Sequence, residues 1–368
     1  MARIRDFVKK EPVLIISALL ALVSSFFVPP DRVYLGYFDL RTLALLYCLM
    51  VVVAGLRQAG LFAHLAHKLC EKAGSLRSMG ILLVLLCFFS SMLITNDVAL
   101  LTFVPFAVVV LGLAHQKDSL IRIVVLQTVA ANLGSMLTPV GNPQNLYLYS
   151  HYDMTLGRFL GLTFPVWLLS LILLLLCCLS LSRKPLSVFL GEEPGLEKKQ
   201  LWLYLGLFVL CLLVVVRLIA WPVMLGLLLL VLLILDRKRL LQADFLLLLT
   251  FCAFFVFAGN LARIPAVDTL LRRLLGGREY LTALLTSQVI SNVPAALLLS
   301  GFTDQAEALL LGVDIGGLGT PIASLASLIS LKLYSHSDHA HPGRFLLEFT
   351  AVNLVLLGIL SLAAGWLL

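Results

Sequence analysis

Ser90–Pro105 reads SSMLITNDVALLTFVP, an apolar run with the amide of Asn96 and the carboxylate of Asp97 set in its middle. An unpaired charge buried in an apolar medium is strongly unfavourable. Either Asp97 faces water and the run ends there, or the chain turns at this point and buries the pair among partners with a purpose.

The rest of the chain favours the second reading. Of its 368 residues 61% are hydrophobic and only 13% charged, and the mean hydropathy of +1.03 is far above that of a soluble domain, whose surface needs more charge. This is the composition of a polytopic membrane protein. Apolar runs at 12–29, 38–56, 119–150, 158–182, 201–219, 220–235, 244–260, 303–335 and 345–367 predict nine crossings. Two further apolar pieces, 79–112 and 280–300, are interrupted by TND and SNVP, and each reads as a re-entrant helical hairpin. The first run, with its basic start, resembles a signal peptide but lacks a small-residue cleavage pattern, and reads as an uncleaved first helix.

Charge placement tests this layout. With the N-terminus cytoplasmic, all 27 Lys and Arg residues fall inside except Arg32, Arg41, Arg158, Arg217, Arg263, Arg272, Arg273 and Arg278. The net charge of +7 is therefore a topology signal, with no nucleic acid implied. The seven cysteines show no CxxC or metal-ligand spacing and read as packing residues. HSDHAH, His336–His341, reads as a solvated inner loop in preference to a metal site, and Arg217 and Trp221 as interface anchors of an outer turn.

An internal repeat organises the chain. ANLGSMLTPV, Ala131–Val140, aligns without gaps to VDIGGLGTPI, Val313–Ile322, pairing Asn132 with Asp314 and Thr138 with Thr320; continuing in register, Asn142 meets Ser324 and Asn145 meets Ser327. Upstream of each match lie a hairpin tip and an amphipathic, interfacial stretch, carrying Leu61, Phe62, Leu65 and Leu69 in the first half and Ile264, Val267, Leu270, Leu271 and Leu274 in the second. The expected order is two spans, interfacial helix, hairpin, broken helix and span, given twice. Residues 1–182 form the first repeat (hairpin 79–112, broken helix 119–150), 183–219 a linker with one span, and 220–368 the second repeat (hairpin 280–300, broken helix 303–335). An odd number of crossings between the copies inverts the second. The fold class is thus all-α and polytopic, with inverted repeats.

Central Gly and Pro residues split each of the runs containing LTPVGNPQN and GTPIASLAS into two half-helices joined by unwound backbone. Half-helix N-termini suit an anion, and free carbonyls suit a cation. Two tips and two loops then gather Thr95, Asn96, Asp97, Asn132, Thr138, Asn142, Asn145, Ser291, Asn292, Asp314, Thr320, Ser324 and Ser327 as the candidate substrate- and ion-binding set. Ser, Thr and Asn in apolar helices also serve as plain interhelical hydrogen-bonding groups. Asp97 and Asp314, the ionisable members, are the candidate coupling residues, by exchanging a proton or holding a cation, and each is expected to be the other's acidic companion.

The tips TNDV and SNVP, followed by TPVGNPQN and DIGGLGTPIASLAS, resemble the ion transporter superfamily, in particular its ArsB/NhaD branch and related anion permeases, and more distantly the divalent-anion:sodium symporters. The resemblance runs from Asp39 to Leu367. It implies a secondary transporter of a small anionic or oxyanionic solute, working by an elevator-like motion, with Na+ or H+ as coupling ion and no other cofactor. The symporters carry Ser-Asn-Thr at each tip; Asp97 and Val293 depart from it at the third position, and Asp314 resembles an acidic residue of the arsenite pumps. The expected setting is the inner membrane, with the bilayer as partner and room for a homodimer. A sodium/proton antiporter of the same superfamily is the alternative. From other classes, an intramembrane aspartyl enzyme is disfavoured because Asp97 is not in a Tyr-Asp pair and GVDIGG is not Gly-x-Gly-Asp, and a passive channel needs no opposed pair of broken helices.

Overall fold

The computed structural model describes residues 11–114, 116, 119–186, 193–337 and 340–368. Arg3, Arg5, Lys9, Lys10 and Lys117 of the charge argument, and Asp338 and His339 of the histidine-rich loop, lie outside the described residues. All regular elements among the described residues are helical, and seven helices are long and apolar enough to cross a membrane. The chain is a polytopic all-α membrane protein.

Pro12–Phe27 (α1) and Leu40–Gln58 (α2) are joined by a 3-10 turn, Arg32–Tyr37. Asp39 caps α2, its carboxylate accepting from the Thr42 N–H at 3.0 Å. The amphipathic Leu61–Cys70 (α3) leads to Leu76–Ile94 (α4), opened by a Ser75/Ser78 capping box, and Asn96–Leu113 (α5). Leu120–Ser135 (α6) and Pro143–His151 (α7) follow, then Leu156–Cys178 (α8) and the linking helix Lys198–Val215 (α9). The second half runs Trp221–Leu235 (α10), Phe245–Ala262 (α11), Pro265–Leu275 (α12), Glu279–Ile290 (α13), Asn292–Leu299 (α14), Ala306–Gly316 (α15), Leu325–Ser335 (α16) and Pro342–Gly365 (α17).

The helix order of the first half is thus repeated in the second, with α9 between. Breaks fall where the sequence places them: single residues Thr95 and Ser291 at the tips, Met136–Asn142 and Gly317–Ser324 in the broken helices. Sizes differ from the expectation. Each arm of the first hairpin, of 19 and 18 residues, is long enough to cross a bilayer by itself, whereas α13 and α14 have 12 and 8. In α3 and α12 part of each expected apolar face is outward: Leu65, Leu69, Leu270 and Leu274 are exposed, as suits helices lying against lipid, while Phe62 is buried.

Packing between the halves is reciprocal. α1 lies against α11 and α2 against α10, so the first span of each half meets the second span of the other. Likewise α5 packs on α16 and α7 on α14, the outgoing hairpin arm of each half against the second half-helix of the other. Neither half buries its own breaks alone, and the paired breaks meet in the middle of the molecule.

Candidate functional site

The two tips and loops form one module built twice, in register. The Asn96 N–H donates to the Gly141 carbonyl at 3.2 Å, and the Asn292 N–H to the Ala323 carbonyl at 2.9 Å. The Thr138 hydroxyl donates to the Met92 carbonyl, and the Thr320 hydroxyl to the Gln288 carbonyl at 3.1 Å. Each tip asparagine also folds its Oδ1 back onto the next N–H, of Asp97 or Val293, at 3.0 Å. A backbone unwound inside an apolar protein needs all of these partners, because a buried N–H or C=O without one is strongly unfavourable.

Across the interface the halves exchange partners. Asn132, on α6, accepts at Oδ1 from Asn96 Nδ2 (3.1 Å) and from the Ser324 hydroxyl (3.0 Å), and donates to Ser327 Oγ at 3.4 Å. Its counterpart Asp314, on α15, accepts at Oδ1 from Asn142 Nδ2 (3.5 Å) and Gln144 Nε2 (3.4 Å). So each half's helix-end group is held by the other half's loop. Asn142 further caps α7, accepting from the Asn145 N–H at 2.9 Å, and donates to Ser135 Oγ at 3.2 Å. It ties both sides of the first break to Asp314.

Four oxygens in this region remain buried without a donor: Asp97 Oδ1, Gln144 Oε1, Asn145 Oδ1 and Asp314 Oδ2. Orphaned acceptors at one place are the complement of a proton or a cation. A cavity of about 630 Å³ runs from Arg57, Gln58, Gln242 and Asp244, all exposed, inward to Thr95, Asp97 and Asn142. Between the tips, Asn96, Asp97, Gln144, Asn292 and Ser324 line a separate void of about 10 Å³, room for about one water.

Of the thirteen residues expected here, nine line the cavity or void or join the cross-half network, while Asn145 donates to the Met136 and Thr138 carbonyls of its own loop at 3.2 and 3.4 Å. Thr138 and Thr320 peg the loops to the hairpins, and Ser291 bonds the Ala323 carbonyl at 3.4 Å, holding the second tip to its own loop. Asp97 does not pair with Asp314; the acidic residue sharing its cavity is Asp244, which caps α11. The reason is that Asp97 stands two residues past the tip residue Thr95 and faces the cavity, whereas Asp314 turns to the loop of the first half. Gln144 and Gln288 were not foreseen. Gln288 clamps the second loop, donating to the Gly316 and Leu318 carbonyls at 2.7 and 2.9 Å and accepting from the Thr320 N–H at 2.9 Å. A glutamine in an otherwise apolar run was the available signal. Arg217, expected as an interface anchor, pairs with Asp153 at 2.7 Å and donates to the Met154 carbonyl at 2.9 Å.

Comparison with known proteins fits this geometry. The chain is 31% identical to the inner membrane protein YbiR of Escherichia coli over 93% of its own length and 94% of that protein's. It is 34% identical to an uncharacterised transporter of Methanocaldococcus jannaschii over 83% of this chain and 84% of that one. A shorter stretch, 38% of this chain and 29% of the other, is 33% identical to the rice silicon efflux transporter LSI3. The sequence profile of the citrate transporters matches residues 7–308. With its polar groups gathered at paired helix breaks and its full-length transporter relatives, the chain belongs to the citrate transporter family, within the anion permease group that its tips and loops resemble.

Proposed function

We propose that this protein is a secondary active transporter that carries a small anionic or oxyanionic solute across the inner membrane, coupled to protons or sodium, with its N-terminus cytoplasmic. The observation that carries this reading is the one-sided cavity. It leads from an exposed end to the paired breaks and stops there, as alternating access requires and a continuous pore does not. Four helices, α5, α7, α14 and α16, begin at the breaks, and their N-terminal N–H groups supply positive potential for an anion without a buried lysine or arginine. Among the described residues Arg57 is the one cation lining the cavity. The family is named for citrate, an anion, and the rice relative is a silicon efflux transporter. In this reading the halves are inverted repeats, the hairpins are re-entrant from opposite sides, and the hairpin and broken-helix body moves against the remaining spans.

Uptake by proteoliposomes tests the proposal, with citrate, phosphate, sulfate, arsenite and silicic acid offered in turn under a pH or a sodium gradient imposed separately. Accumulation of one solute, driven by one gradient and lost when it is collapsed, is the expected result. Flux of every solute without gradient-driven accumulation would overturn it in favour of a channel. A sodium/proton antiporter is the second reading, favoured by the excess of carboxylates, Asp97 and Asp244, over Arg57 in the cavity. Proton movement driven by sodium alone, with no solute, would select it.

A further inference from the structure

Gln144 joins Asp314 to the void that Asp97 lines, whereas Asn142, the other amide on Asp314, lines the larger cavity. Gln144 Nε2 donates to Asp314 Oδ1 at 3.4 Å, the residue lines the void between the tips together with Asp97, and its Oε1 has no donor. The residue is 1% exposed and Asp314 3%, so bulk water does not satisfy either group. A primary amide donates from one end and accepts at the other. Beside a carboxylate it must present N–H; beside a neutral carboxyl group, whose O–H needs an acceptor, it is free to present Oε1 and turn its N–H groups the other way.

We propose that Gln144 is the positioning residue that passes the charge state of Asp314 to the void lined by Asp97. While Asp314 is ionised, Gln144 keeps its N–H on Asp314 and leaves its oxygen end for the void, which then favours water or a cation. When Asp314 takes a proton, its O–H donates to Gln144 Oε1, the amide turns over, and the void gains a donor for the orphaned Asp97 Oδ1 or for a solute oxygen. A solute that binds better to the donor form must by linkage favour protonation of Asp314, which is the condition for co-transport. This rests on the transporter reading above, as a mechanism within it.

Other charges do not substitute for the amide. Gly312 and Gly316 lie against α13, within 3 Å of it for an added Cβ, so Asp314, two residues from each, faces away from Glu279 and Tyr280 of that helix. No titratable group stands on α14. Arg122 of α6 pairs with Glu348 near the start of α17, beside Arg344, and lies roughly 15 Å along α6 from Asn132. On α7, Tyr147 and His151 bond one another and Ser300, and Tyr149 bonds the Val215 carbonyl, all beyond the half-helix end that holds Gln144. Asp97, across the void, is the remaining group.

The test is a double-mutant cycle that needs no solute. Purified full-length protein in lipid nanodiscs is titrated by infrared difference spectroscopy, the two carboxyl bands being assigned by their loss in Asp97→Asn and Asp314→Asn. Asp314→Asn is expected to move the Asp97 titration midpoint, and Gln144→Met, similar in size but without an amide, to remove most of that movement. Gln144→Asn, which keeps the amide but shortens its reach, should give an intermediate result and serves if Gln144→Met does not fold. A midpoint movement that is undiminished in both variants, or an Asp97 band indifferent to Asp314 in the parent, overturns the relay. The transporter reading fails separately, in the flux assay.

Discussion

At the scale of the residue, the site turns on one difference between equivalent positions. Asn132 and Asp314 occupy the same place in the two halves and are bonded by the same loop positions, Ser324 and Asn142, yet one is an amide and the other an acid. If Asp314 carries the coupling, Asp314→Asn removes the charge while keeping the shape and the amide-bonding pattern of its counterpart. Gradient-driven accumulation should then be lost while solute exchange across the liposome membrane persists; equal loss of both would make the residue structural. Outside the membrane core, Asp31 meets Arg263 in a two-bond pair, at 2.7 and 3.1 Å, joining the loop after α1 to the end of α11. That guanidinium holds the Asp31 carboxyl below the usual carboxylate range. A depressed folded-state value means the pair's contribution is full above the ordinary Asp range and is lost as pH falls through the depressed one. Thermal melts should therefore show parent and Asp31→Asn converging in acid and separated at neutral pH. A constant gap would refute it.

At the scale of the element, what defines the site is where helices stop. Thr95 and Ser291 sit at φ 70°, ψ 150° and φ 75°, ψ 155°, a region that is nearly reserved for glycine and is strained for other residues, the more so for a β-branched threonine. The same unfavourable geometry at both tips marks it as required by the tip and not accidental. Thr95→Gly should relieve it and stabilise the fold by about 1 kcal/mol net of the added chain entropy, while slowing transport through a looser tip; a destabilised variant would contradict the strain argument. The hairpins also depend on close approach. An added Cβ at Gly134 would stand 2.0 Å from the Phe88 carbonyl oxygen, whereas at Gly316 the nearest atoms, of Ser287, are 2.9 Å away. Backbone cannot give way as a side chain can, so Gly134→Ala should destabilise by about 3 kcal/mol or more and Gly316→Ala by less, read by denaturant titration in detergent. The reverse order would mean that α4 yields more easily than its packing suggests.

At the scale of the whole molecule, the helix order and the breaks were legible because Gly, Pro and lone polar residues stand out in apolar runs: TND, SNVP and the two TP loops each fall at a break. What could not be read was which polar group meets which. Asp97 and Asp314 looked like a pair because they were the scarce acids, but the reciprocal packing turns Asp314 toward Gln144, a partner hidden beside Pro143 in a short half-helix. The Asp153 partner of Arg217 was hidden in the same way, since it lies across the fold. That contact gives the molecular-scale prediction. Besides the Asp153 pair, the Arg217 guanidinium lies 5.4 Å from the Tyr149 ring centre, and the Tyr149 hydroxyl donates to the Val215 carbonyl at 3.0 Å. The end of the first broken helix is therefore clasped to the end of α9, on the face opposite the exposed mouth of the cavity. If the hairpin and broken-helix body travels as a unit past the linking helix, this clasp has to open in every cycle. Asp153→Cys combined with Arg217→Cys, oxidised to a cross-link, should arrest transport and recover it on reduction, with each single variant active. Full transport by the cross-linked protein would show that α9 moves with that body, and the elevator division of the chain would have to be drawn elsewhere.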